Sequence, residues 1–149
     1  MGWKYQYHHI PLLSSLKPTP RILLGKTLFW TEKKDGECIA IWDDGGKIKI
    51  SSKGQEKAHQ DIITRVQSSE DYLLCLELLK EHPEFVLYVE ECRKGRSVTG
   101  VEEYDRTYLF LFDILDRNLN EFLNYTAVYQ HGFHHKIPTV KLYATTRHR

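Results

Sequence analysis

The chain has 149 residues, 41% of them apolar, which excludes a disordered segment and suffices for one domain with a real core. Its formal net charge of +1 excludes the global basic field of a protein that lives on nucleic acid, so any such contact must come from a local patch. Cys38, Cys75 and Cys92 lack Cys-x-x-Cys spacing, and no apolar run reaches the length of a membrane span. This excludes a disulfide framework or zinc ribbon and leaves a cytoplasmic protein with no membrane contact as the expectation.

Residues 1–21 carry Pro11, Pro18 and Pro20 and are expected to form an irregular arm. Lys26 to Thr31 reads as a strand. Glu37 to Trp42 and Lys47 to Ser51 read as a hairpin joined through Asp43-Asp44-Gly45-Gly46. Lys47, Lys49 and Ser51 fall on one side of it, Ile48 and Ile50 on the other. A helix follows, with Ala58, Ile62, Ile63 and Val66 on one face. A second is predicted from about Glu70 to Glu81, with Ser68 and Asp71 as a capping box, a leucine-rich and largely buried body, and Pro83 as its stop. Phe85 to Glu91 reads as a buried strand, 92–105 as a polar loop, and Tyr108 to Leu115 as a second buried strand. A helix from Asn120 to about His131 and a short strand from Thr139 to Tyr143 complete the chain. The expected class is α+β, one domain over residues 1–149, with a mostly antiparallel sheet and helices inserted between hairpins.

The stretch Thr31-Glu32-Lys33-Lys34-Asp35-Gly36-Glu37 stands between two apolar runs, and five of its residues are charged. Asp-Gly is a common turn signal, so one reading is a hairpin loop. The other reading is a reactive lysine. A lysine at the mouth of a sheet, beside a second cation, loses its proton more readily and can act as a nucleophile.

The order of the downstream signals bears on that choice. Lys33-Lys34-Asp35-Gly36 has the pattern Lys-x-Asp-Gly, Ser52-Lys53-Gly54 closes the hairpin, and two helices follow. Then come an apolar strand ending in acid, Tyr88-Val89-Glu90-Glu91, and an apolar strand ending Phe112-Asp113-Ile114. This order resembles the covalent nucleotidyltransferase superfamily of DNA ligases, RNA ligases and capping enzymes. Glu32 before the lysine and the Leu-Phe-Leu-Phe-Asp-Ile strand look most like its ATP-dependent RNA ligase branch. The resemblance covers roughly residues 26–143. It implies an ATP-grasp-like ligase adenylation domain that uses ATP with Mg2+ or Mn2+ to join RNA or DNA ends.

The resemblance also implies roles for individual residues. Lys33 would attack the α-phosphate of ATP and carry AMP. Glu32 would line the adenine pocket, and Asp35 and Gly36 would complete the motif. Lys53 stands where the family has arginine and would contact phosphate or ribose; it keeps the charge but not the bidentate fork. Glu90 would bind the ribose, although Val89 replaces the family's glycine and Glu91 competes for the assignment. Phe112 would stack on the purine. No protein metal ligand is expected among these residues.

Two later motifs of the superfamily, a Glu-Gly turn and a Lys-x-Lys strand, do not follow the phenylalanine strand. The expectation is therefore the N-terminal part of a longer ligase, C-terminally incomplete and inactive alone. The alternatives are a capping-type guanylyltransferase and a non-catalytic nucleotide- or RNA-binding relic of the same fold. His8-His9 and His134-His135 read as surface or satisfied histidines, because adjacent side chains diverge on strands and helices alike. The loop Arg93-Lys94-Gly95-Arg96 reads as a solvated turn or as a contact to an RNA backbone.

Overall fold

The computed structural model describes Tyr5, Tyr7 and residues 25–52, 57–97 and 99–147. In chain order the elements are β1 (Thr27–Thr31), β2 (Glu37–Asp44), β3 (Lys47–Ser52), α1 (Gln60–Ser68), α2 (Glu70–Glu81) and β4 (Phe85–Cys92). There follow β5 (Gly95–Arg96), β6 (Glu103–Tyr104), β7 (Tyr108–Asp116), β8 (Glu121–Phe122), α3 (Tyr125–His135) and β9 (Leu142–Arg147). The chain divides into two compact units, one of Met1–Tyr7 with Lys34–Val140 and one of His8–Lys33 with Lys141–Arg149.

The larger unit is built on a five-stranded sheet of order β3-β2-β4-β7-β8, antiparallel throughout. Strand alternation sends Ile39, Ile41, Leu87, Val89, Leu109, Leu111 and Ile114 to the face that α1, α2 and α3 cover. Ile62 and Val66 of α1, Cys75, Leu78 and Leu79 of α2, and Val128 of α3 close this core. Each fully buried aliphatic side chain contributes about 1.5–3 kcal/mol. The opposite face carries Ala40, Trp42, Val86 and Tyr88, on which Tyr5 and Tyr7 pack. This is the α+β architecture expected from the sequence, with the hairpin turn at Gly45-Gly46, both in the left-handed region.

Burial pushes the thiols of Cys75 and Cys92 up to about 12, so both stay protonated near neutrality. None of Cys38, Cys75 and Cys92 is in a disulfide.

Several local expectations are corrected. The strand before the charged stretch does not form a hairpin with the one after it. β1 pairs antiparallel with β9, Thr27 opposite Arg147, in the smaller unit. Asp35-Gly36 is therefore not a hairpin turn. The cap of α2 is Ser69 rather than Ser68: its hydroxyl accepts from the Asp71 N–H, whereas Ser68 donates back to the Thr64 carbonyl. Asp71 is itself buried. It receives both guanidinium arms of Arg106 at 3.1 Å and the Leu109 N–H at 2.9 Å, which ties the start of α2 to β7. The leucine-rich helix is also less buried than expected, since Leu73 is 66% exposed.

The third helix begins later than predicted. Asn120 takes φ 53° in a turn and β8 intervenes. Asn124 then caps the helix by accepting from the Ala127 N–H at 2.9 Å. The last strand is likewise displaced, with Thr139 making only an isolated parallel bridge to Leu111. Within the polar loop, Gly95–Arg96 and Glu103–Tyr104 form a short antiparallel ribbon.

Candidate functional site

The two acids at the end of β4 take opposite faces of the sheet. Glu91 lies on the helix side, 1% exposed, where the Arg65 Nε of α1 donates to its Oε1 at 2.8 Å. Burial raises its pKa and Arg65 opposes the shift. Glu90 lies on the other face, opposite Cys38 of β2 and Phe110 of β7. Its Oε2 accepts the Gly36 N–H at 3.1 Å.

That bond exists because Gly36 has no side chain. A Cβ on it would lie 2.3 Å from the Glu91 carbonyl oxygen and 3.0 Å from Cys92 Sγ. The glycine of the Lys-x-Asp-Gly pattern is thus needed for close approach of two backbones. Asp35, one residue earlier, accepts the Thr99 N–H at 2.9 Å and the Thr99 hydroxyl. The motif loop is held by β4 on one side and by Thr99 on the other.

Lys34 also belongs to this face. Its Nζ sits 4.5 Å from the centre of the Phe110 ring and 3.7 Å from a Glu102 oxygen, with the side chain 13% exposed. The Phe110 ring stacks on Tyr108 at 5.2 Å, and Arg106 covers Tyr108 at 3.9 Å. Phe112 stands at an irregularity in the β4–β7 pairing. There Tyr88 and Val89 face Asp113 and Leu111, so Phe112 has no opposite residue. Its ring is met edge-on by Tyr7 at 5.0 Å. Tyr7 also donates to Asp113 Oδ2 at 2.6 Å. Burial, and then that carboxylate, push its phenol well above the usual range.

Lys33 and Glu32 belong to the smaller unit. Lys33 is exposed. Glu32 donates its N–H to the Lys141 carbonyl at 2.8 Å and accepts the Lys141 N–H on Oε1 at 3.1 Å. Lys53 lies outside the described residues. The face of the larger unit therefore gathers Lys34, Gly36, Glu90, Phe110 and Phe112.

Two members of this face were missed from sequence: Lys34 as a packed cation, and Tyr7. Phe110 shares strand parity with Phe112, so alternation places it on the same face. Tyr7 carried no signal, because its partners lie about a hundred residues away.

No protein-family model matches the chain, and no curated protein matches it by sequence. Solved structures do match. An archaeal ATP-dependent RNA ligase is 19% identical with a TM-score of 0.74, covering 95% of this chain and 37% of that one. A variant RNA ligase of Naegleria gruberi with ATP and Mn is 14% identical with a TM-score of 0.76, covering 92% and 42%. Another variant of that enzyme, with AMP and Mn, is 14% identical with a TM-score of 0.76, covering 100% and 44%. The fold is that of ATP-dependent RNA ligases. This chain spans less than half the length of each of those three proteins.

Proposed function

We propose that this chain is the nucleotide-binding part of an ATP-dependent RNA ligase adenylation domain. The observation that carries the reading is Gly36 pressed against β4 and bonded to Glu90. A solvated hairpin turn needs no such fit, whereas a motif loop seated against the sheet does.

In this reading neutral Lys33 attacks the α-phosphorus of ATP. A nitrogen–phosphorus bond forms, the bond to the bridging oxygen breaks, and pyrophosphate leaves. The amine must be neutral to attack, and Lys34, next to it in the chain, is the neighbouring cation that favours that form. Glu90 takes the ribose hydroxyls, Phe112 stacks on the purine, and Glu32 lines the adenine side. Lys53 reaches phosphate or ribose, and Asp35 with Gly36 holds the loop. Mg2+ or Mn2+ takes most of its ligands from phosphate and water, so it asks for few carboxylates from this face, and Glu90 and Asp35 lie nearest the loop. When bound, it neutralises charge on the phosphates. The joined substrates would be RNA or DNA ends.

Intact mass spectrometry after incubation with ATP and a divalent metal tests the reading. The Glu-Gly and Lys-x-Lys motifs do not follow the phenylalanine strand, and losing even one transition-state donor typically costs a factor of about a hundred to a thousand. The 149-residue chain by itself should form no adduct. A longer protein carrying both motifs should gain one AMP, and Lys33→Ala should abolish it. An adduct that survives Lys33→Ala would show that another residue is the nucleophile.

A second reading, a nucleotide- or RNA-binding module without chemistry, is favoured by Tyr7 packed on Phe112. A capping-type guanylyltransferase is separated from both by comparing ATP with GTP labelling.

A further inference from the structure

The helix layer holds a second group of ligands that the nucleotide reading does not use. Glu81 ends α2, and His134 and His135 end α3. One ligand atom from each of the three lies within 4.8 Å of the other two. His135 Nε2 meets Glu81 Oε2 at 2.8 Å, with the His135 side chain only 8% exposed. The two histidine rings lie 4.9 Å apart at 85°. Consecutive helical side chains normally diverge, but here the helix stops at Lys136, which takes φ 60°.

We propose that Glu81, His134 and His135 form a binding site for a borderline-soft divalent cation of the zinc type. Two imidazoles and one carboxylate are a recurrent zinc donor set that leaves a fourth position open. Zinc bonds to nitrogen and oxygen are about 2.0–2.2 Å, which places tetrahedral ligands about 3.4 Å apart. The observed spread closes to that spacing by side-chain rotation, with the cation replacing the proton shared by His135 and Glu81. His134 and Glu81 are exposed, which gives an ion a route in. The neighbouring pair His82 and His131 is engaged elsewhere: His82 stacks on Phe85 at 4.5 Å, and His131 meets both rings edge-on. A bland alternative is an ion pair that joins two helix ends.

Zinc chloride titrated into the whole chain by calorimetry distinguishes the two. The expected result is uptake at this site, weakened on the order of tenfold or more by Glu81→Gln and separately by His134→Ala. Neither exposed substitution removes core packing, and circular dichroism checks that each variant is folded. His8→Ala with His9→Ala should leave this uptake unchanged. Nitrogen-15 spectra should show zinc shifting the imidazole nitrogens of His134 and His135. No zinc uptake by the folded chain, or uptake indifferent to Glu81→Gln and His134→Ala, would overturn the proposal. The outcome is independent of nucleotide binding, since the site lies on the helix side of the sheet.

Discussion

The amide of Gly36 and the carboxylate of Glu90 hold the motif loop to the sheet with one hydrogen bond of 3.1 Å. The missing side chain of Gly36 is what lets them meet, because a Cβ there would stand 2.3 Å from the Glu91 carbonyl. Gly36→Ala should therefore behave as overpacking against backbone, with a loss of about 1–3 kcal/mol. Urea unfolding measures it, and nucleotide affinity should fall in parallel. A variant as stable as the parent would show that the loop has another seat.

Lys34 is held over Phe110 at 4.5 Å in a mostly buried position. A partly desolvated cation–π contact contributes about 0.5–2 kcal/mol. Lys34→Ala should lower stability by that amount. In a protein that carries the later motifs, it should slow the lysyl adduct without abolishing it. Complete loss of the adduct with Lys34→Ala, and survival with Lys33→Ala, would exchange the two assignments.

Phe112 and Tyr7 share one patch, rings 5.0 Å apart. Phe112→Ala should weaken ATP binding by about 1–3 kcal/mol, the usual range for one stacked base. Tyr7→Ala should strengthen it by uncovering the same ring. Titration calorimetry reads both. Equal weakening by both variants would mean that Tyr7 is a wall of the pocket rather than its cover.

His131 predicts an acid sensitivity. Burial, then the charges of His82, His135 and His134, hold its pKa below the ordinary 6.5, with Glu81 pulling the other way. The unfolded chain takes up a proton near 6.5 and the folded chain only at lower pH. Between those values the unfolded state binds more protons, so stability falls as pH drops through the window just below 6.5. Glu91 acts with the opposite sign: its carboxyl is raised by burial, so protonation favours the fold. Urea midpoints taken from about pH 7.5 down to about pH 5.5 should fall, and His131→Gln should flatten the slope. An unchanged slope would place the titration on another group.

Local chemistry determined much of this protein. The β2–β3 hairpin was legible because alternation at Ile48 and Ile50 and the Gly45-Gly46 pair act within a few residues. The extent of α2 and the cores of β4 and β7 were legible for the same reason, and the order of motifs along them pointed to the ligase fold. Tertiary structure decided the rest. Which of Glu90 and Glu91 is buried depends on which face the helices cover, and alternation alone does not carry that sign. The partner of β1 is β9, more than a hundred residues on, and no local pattern encodes a pairing at that separation. The irregularity that leaves Phe112 without an opposite residue is visible only once β4 lies beside β7. Glu81 meets His135 across 54 residues, so a histidine pair that diverges on paper gains a third ligand only when two helix ends meet.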